Sequence, residues 1–184
     1  MRIKSAKQAL ELNFSGLLPS GGYEPKTQAS GKKNSNDEIL IELGIVMSPF
    51  NKLSDFHKKW AEYIYGSDDH LYKKGYLRPY FGMIVDDYAL SLVEKTNKDT
   101  EWKISRLVEM IIDDFRATER NGKRIYCDAD YCRRTGIDTG NYSKSWKWLE
   151  NDIVVYLHQL SKIVLSPIAE KIEELRNREI AEAS

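Results

Sequence analysis

Tyr126–Trp148 reads YCDADYCRRTGIDTGNYSKSWKW, and its spacing is that of two helices joined by a tight turn. Gly136 followed by Ile137 marks the turn, with Cys132 four residues before the glycine and Tyr142 six residues after it. These supply a permissive turn residue, a small residue where the helices approach and a core anchor, as a helix-turn-helix requires. In the second helix Tyr142, Trp146, Leu149 and Ile153 recur at i, i+4, i+7 and i+11, one face of an α-helix. Asp138 or Thr139 can cap its start. Gly140, Lys144, Lys147 and Trp148 occupy the opposite face, flanked by Asn141, Ser143 and Ser145, a mixture suited to phosphates and base edges. Arg133 and Arg134 add charge just before the turn. Ser145 stands where most such motifs carry an aliphatic residue, and Trp146 beside it can do that packing. A helical hairpin with a solvated basic face has the same pattern.

Outward from this segment the chain reads as all-α, a compact helical bundle with an embedded helix-turn-helix near 128–150 and a flexible N-terminal segment. Immediately before it, Ile104, Leu107, Val108, Ile111, Ile112 and Phe115 form a broad apolar stripe at helical spacing, ended by Asn121-Gly122. Pro79 can start the preceding helix, in which Tyr80, Ile84, Tyr88 and Leu92 line one side with Phe81, Val85 and Ala89 adjacent. Ser54 caps a helix through Phe56, Trp60, Tyr63 and Ile64, which the polar turn at Gly66 ends. Asp37 opens a short apolar helix that stops before Pro49. Pro19 to Asn36, rich in Gly, Pro, Ser, Lys and Asn, reads as a linker, so residues 1–36 are expected to be flexible. Beyond Leu149 the apolar period continues to Val164 without a breaker, coupling the candidate reader to the core. Pro167 then separates the helical domain, 37–166, from an amphipathic C-terminal helix, 167–184.

Composition narrows the function classes. With 184 residues, 41% of them hydrophobic, the chain can bury one core of ordinary size. It has no apolar run near the ~20 residues that span a bilayer and no secretory leader pattern, so a cytoplasmic location and no membrane partner are expected. Its two cysteines, Cys127 and Cys132, make at most half a zinc site, and His57, His70 and His158 are scattered. No cofactor or metal is expected. Net charge is zero, but from Arg120 to Leu149 seven cations face Asp128, Asp130 and Asp138, a basic stripe on a neutral chain. The acidic pairs Asp86-Asp87 and Asp113-Asp114 read as solvated helix faces. One carboxylate from each could instead meet across a bundle as in a two-metal nuclease. Without a phosphate loop, a nucleophile motif or a Glu-x-x-His pair, catalysis is not indicated.

The order of segments resembles a family. Met1-Arg2-Ile3-Lys4-Ser5, the polar segment after it, the apolar run Asp37 to Phe50, two apolar helices, and Asp138 to Lys147 running into Ile153-Val154-Val155 look like the late-gene antitermination Q proteins of lambda-type bacteriophages. The likeness is of layout along nearly the full length. Close residue matches are confined to the first five positions and Tyr142 to Val155. The resemblance implies a factor in the bacterial host cytoplasm that binds double-stranded DNA inside a phage late promoter. Such a factor loads onto RNA polymerase at a promoter-proximal pause, through the β flap and the primary sigma factor, and carries it past terminators. It also implies that Asp138 to Lys147 is the DNA reader. Asn141, Lys144 and Lys147 are then the expected contacts, with Thr139 and Ser143 beside them, Arg133 and Arg134 on phosphates, and Tyr142 and Trp146 as packing anchors. The linker composition is compatible with ordering on polymerase or near nascent RNA at the exit channel. One departure is large: the lambda type carries a cysteine-rich zinc insertion, and here that stretch is only Arg116 to Tyr131, so no metal is carried over. A phage repressor or activator that needs DNA alone is the alternative.

Overall fold

A computed structural model describes residues 1–15, 35–68 and 74–183. Among them there are helices and no strand: α1 (Ala6–Phe14), α2 (Ser35–Val46), a 3₁₀ turn (Phe50–Lys52), α3 (Asp55–Tyr65), α4 (Leu77–Ser91), α5 (Lys98–Asn121), α6 (Asp128–Thr135), the single turn α7 (Thr139–Asn141), a π turn (Tyr142–Trp146) and α8 (Lys147–Glu182). None is long and apolar enough to cross a membrane. The chain divides into two compact units, one made of Met1–Lys73 with Ser161–Ser184 and the other of Lys74–Leu160.

In the first unit α1 packs against α3 and α2. Its apolar side, Ala6, Ala9 and Leu10, is buried together with Ile3 just ahead of it and with Leu43, Val46, Trp60 and Ile64. Ser5 caps α1 by accepting from the Gln8 amide at 3.1 Å, and Ser54 does the same for α3 from His57. The C-terminal part of α8 adds Val164, Ile168 and Ile172 to the buried set, and the Trp60 indole donates to Ser161 Oγ at 3.2 Å.

Two expectations are corrected here. Met1 to Ser15 is not a flexible lead-in: four small or aliphatic side chains at Ile3, Ala6, Ala9 and Leu10 give a short helix enough buried face to order it. The rest of the expected linker, residues 16–34, lies outside the described residues. Nor does Pro167 end the helix, since α8 runs through it to Glu182. The carbonyl that loses its donor belongs to Ile163, whose position is 45% exposed, where an unpaired carbonyl costs little.

In the second unit α4 and α5 pack most extensively, and α5 continues onto α6. All six residues of the expected α5 stripe are buried. Asn97 caps the start of α5 and Gly122, at φ 70°, turns the chain out of its end. On α4 the buried line is Leu77, Phe81, Val85 and Ala89, one residue on from the expected one, and Tyr80 is 37% exposed. The N-terminal part of α8 contributes Leu149, Ile153 and Leu157 to the core, and Tyr156 stacks on Tyr88 with ring centroids 4.2 Å apart.

Candidate nucleic-acid interface

The Tyr126–Trp148 segment folds as a pair of helical pieces joined by a glycine turn. A capping box at Cys127 starts α6, with the Cys127 amide donating to Asp130 Oδ2 at 3.1 Å. Hydrogen bonds from the Cys127 amide and thiol, with the charges of Arg133 and Arg134 adding to them, hold the Asp130 carboxyl below the usual range. Gly136, at φ 67°, ends α6; nothing crowds its missing Cβ, so the left-handed backbone alone calls for glycine there. Ile137 is buried, and Asp138 caps the next helical turn by accepting from Gly140 and Asn141 amides at 2.9 and 3.2 Å.

The helix after the turn is not a uniform α-helix. Across Tyr142–Trp146 the bonding widens to π, with the Lys147 amide donating to the Tyr142 carbonyl five residues back. The extra residue in a π turn rotates the helix on its N-terminal side by about 100° relative to the helix on its C-terminal side. Tyr142 and Leu149 both reach the core, while Trp146, within the π turn between them, is only half-buried. Ser145 is thereby explained: it lies on the exposed side of the π turn, and the Trp148 indole donates to its carbonyl at 2.8 Å.

Beneath this segment lies a buried polar network that sequence reasoning missed. Asp114, 4% exposed, accepts from the Ile125 and Tyr126 amides at 2.6 and 2.9 Å, from Arg124 Nε at 3.0 Å and from the Tyr131 hydroxyl at 2.7 Å. Arg124 Nη2 also donates to Glu150 Oε1 at 3.0 Å. Glu150, equally buried, accepts from the Tyr142 hydroxyl and pairs with Lys147 Nζ at 2.8 Å. The Tyr131 and Tyr142 rings stack with centroids 6.0 Å apart. The loop 122–127 and α6 are thus tied to α5 through Asp114, and the π turn is tied to the start of α8 through Tyr142 and Glu150, with Arg124 joining the two carboxylates. Burial, then hydrogen bonding to the carboxylates, pushes both phenols well above the ordinary tyrosine range. Desolvation pulls Arg124 and Lys147 down, but their carboxylate partners outweigh it and hold both above their ordinary values.

Neither acidic pair behaves as a solvated face throughout. Asp114 is buried with both oxygens engaged, which leaves it no role as an open metal ligand. Asp113 is held by the Arg78 fork at 2.9 and 3.1 Å. Asp86 accepts from Ser105 Oγ at 2.7 Å through one oxygen, while the other is buried without a hydrogen-bond partner. Among the described residues no three His, Cys, Asp or Glu side chains come together as a metal site.

The expected contact residues separate into three kinds. Thr139, Asn141, Ser143 and Lys144 are exposed, and Lys144 has no ion-pair partner among the described residues. Arg133 is also exposed, paired with Asp130 at 2.5 Å, and Arg134 lies over the Tyr126 ring at 4.7 Å. Lys147 differs from its expected role. It is half-buried, bridges Asp128 at 2.9 Å and Glu150 at 2.8 Å, and sits over the Tyr142 ring, so it belongs to the network rather than to an open reading face. Of the two expected anchors Tyr142 is buried and Trp146 is not. Comparison with protein families, with curated proteins and with solved structures finds no match to this chain.

Proposed function

We propose that this protein binds duplex DNA through the face carrying Thr139, Asn141, Ser143 and Lys144, flanked by Arg133 and Arg134, and regulates transcription. The observation that supports this reading most is the pairing of an exposed polar and basic face with a saturated polar base beneath it. Contacts with phosphates and base edges need side chains held at fixed positions, and Asp138, Tyr142 and Glu150 fix the backbone that carries these. The resemblance of its segment order to that of lambda-type Q proteins favours an antitermination factor that acts on promoter-paused RNA polymerase, with the β flap and sigma factor as its protein contacts.

Two measurements test the proposal in turn. Binding to a mixed-sequence duplex should weaken in Lys144→Ala, with a salt slope smaller by about 0.9, the value of one phosphate contact. Equal binding of variant and parent at every salt concentration would remove the assigned face. In a reconstituted transcription complex on a phage late promoter, the protein should increase read-through of a downstream terminator. Intact DNA binding without added read-through would instead leave a repressor or activator that acts on DNA alone.

A further inference from the structure

Arg134, expected from the sequence to meet phosphate, lines a groove with arginines from two other helices. Arg78 near the start of α4 and Arg106 in α5 border the same cavity of about 480 Å³, together with Tyr126, Glu109 and Asp113. Their sequence separations, 28 and 56 residues, hide this convergence from any local reading.

The charges are arranged for exchange. Arg78 is 54% exposed and held by Asp113, and Arg106 is 52% exposed and held by Glu109 at 3.0 Å. Arg134 lies over the Tyr126 ring, 4.7 Å from its centroid. Exposed ion pairs of this kind are worth at most about 1 kcal/mol, whereas a phosphate offers a guanidinium fork the same bidentate geometry as a carboxylate. Asp113 holds the Arg78 fork and Glu109 holds one nitrogen of Arg106, exposed pairs whose places a phosphate can take.

We propose that this groove binds the phosphodiester backbone of the duplex, extending the phosphate track from the helix-turn-helix onto α4 and α5. This inference rests on the DNA-binding reading and adds a second contact region to it. It predicts opposite effects of opposite charge changes. Arg78→Ala and Arg106→Ala, which lie outside the reading face, should each lower the salt slope of mixed-sequence duplex binding by about 0.9, roughly 3.5-fold in affinity over a fourfold change in salt. Arg106→Lys should restore most of that slope, and Glu109→Gln should tighten binding by removing a competitor for Arg106. Thermal melting of each variant at the parent's temperature separates these effects from loss of fold. If Lys144→Ala weakens binding while the arginine variants and Glu109→Gln match the parent, the groove is not a phosphate site and the reading face stands. If the parent protein itself fails to bind duplex at low salt, both fall together.

Discussion

Two regions of this molecule use carboxylates to hold a segment in place, and they do it at opposite ends of the solvation scale. In the second unit Asp114 and Glu150 are buried and saturated, each meeting several donors. In the first unit residues 1–4, a strap ahead of α1, are held by exposed and half-buried groups. Glu42 accepts from the Arg2 and Ile3 amides at 2.7 to 2.9 Å, Glu179 meets the terminal amine at 3.1 Å, and Arg176 donates to the Lys4 carbonyl at 2.8 Å. Water reaches most partners of the strap, whereas the Asp114 and Glu150 carboxylates and the Tyr131 and Tyr142 hydroxyls that meet them are shut away from it. The buried network therefore fixes one arrangement of the glycine turn, whereas the surface clasp only biases where the strap lies.

Asp114→Ala should show the difference most strongly. It removes the acceptor of two part-buried amides, of the half-exposed Arg124 guanidinium and of the buried Tyr131 phenol, so a loss of about 2–3 kcal/mol is expected from urea unfolding. A loss under about 1 kcal/mol would mean that the network opens to solvent and that the two regions are alike. The corresponding change in the clasp, Glu42→Ala, should cost about 1 kcal/mol. Its effect should appear chiefly as faster hydrogen exchange at Arg2 and Ile3, and global unfolding with a cost like that of Asp114→Ala would erase the contrast.

Alkaline titration sharpens the comparison further. Lys147, Tyr131 and Tyr142 all hold their protons more tightly folded than unfolded. Their contributions are therefore complete below the ordinary values of 10.0 for tyrosine and 10.5 for lysine, and are lost as pH rises through the raised ones. Stability should fall above about pH 10 and the fall should be shallower in Lys147→Met; an unchanged alkaline limb would take Lys147 out of the network.

The smallest effect has the opposite sign. Burial, partly offset by the Ser105 hydrogen bond, raises the Asp86 carboxyl above 3.8, so its ionisation opposes folding as pH rises through the raised value. Asp86→Asn should leave stability at neutral pH equal or slightly higher and remove that dependence from the acid limb of the melting curve. A clear loss at neutral pH would show that the surroundings of Asp86 stabilise its ionised form.

The difference between these regions also explains how much of the molecule is legible in its sequence. The α5 stripe is legible because aliphatic residues at helical spacing have one way to be buried, and Gly136 because a left-handed turn needs glycine. Asp114 and Glu150 are not, since an acidic residue on a helix reads as solvated until its partners are known. Arg124, which joins them, is ten residues from one and 26 from the other. Lys147 reads as part of the exposed face for the same reason. The strap has signals, a Ser5 cap and a short apolar face, but too few residues to outweigh the polar stretch beyond it. The π turn leaves one trace, the serine at a position where an aliphatic residue is usual.

That turn has a consequence for how such a protein diversifies. Because the helix carries one residue more than an α-helix needs between Tyr142 and Lys147, the azimuth of residues 139–144 about the helix axis depends on chain length rather than on side-chain identity. Removing a single codon there would restore an α-helix and swing the whole patch by about a quarter turn. Relatives that differ by one amino acid in length at this point would present the same side chains in a different direction, a change that no substitution matrix records.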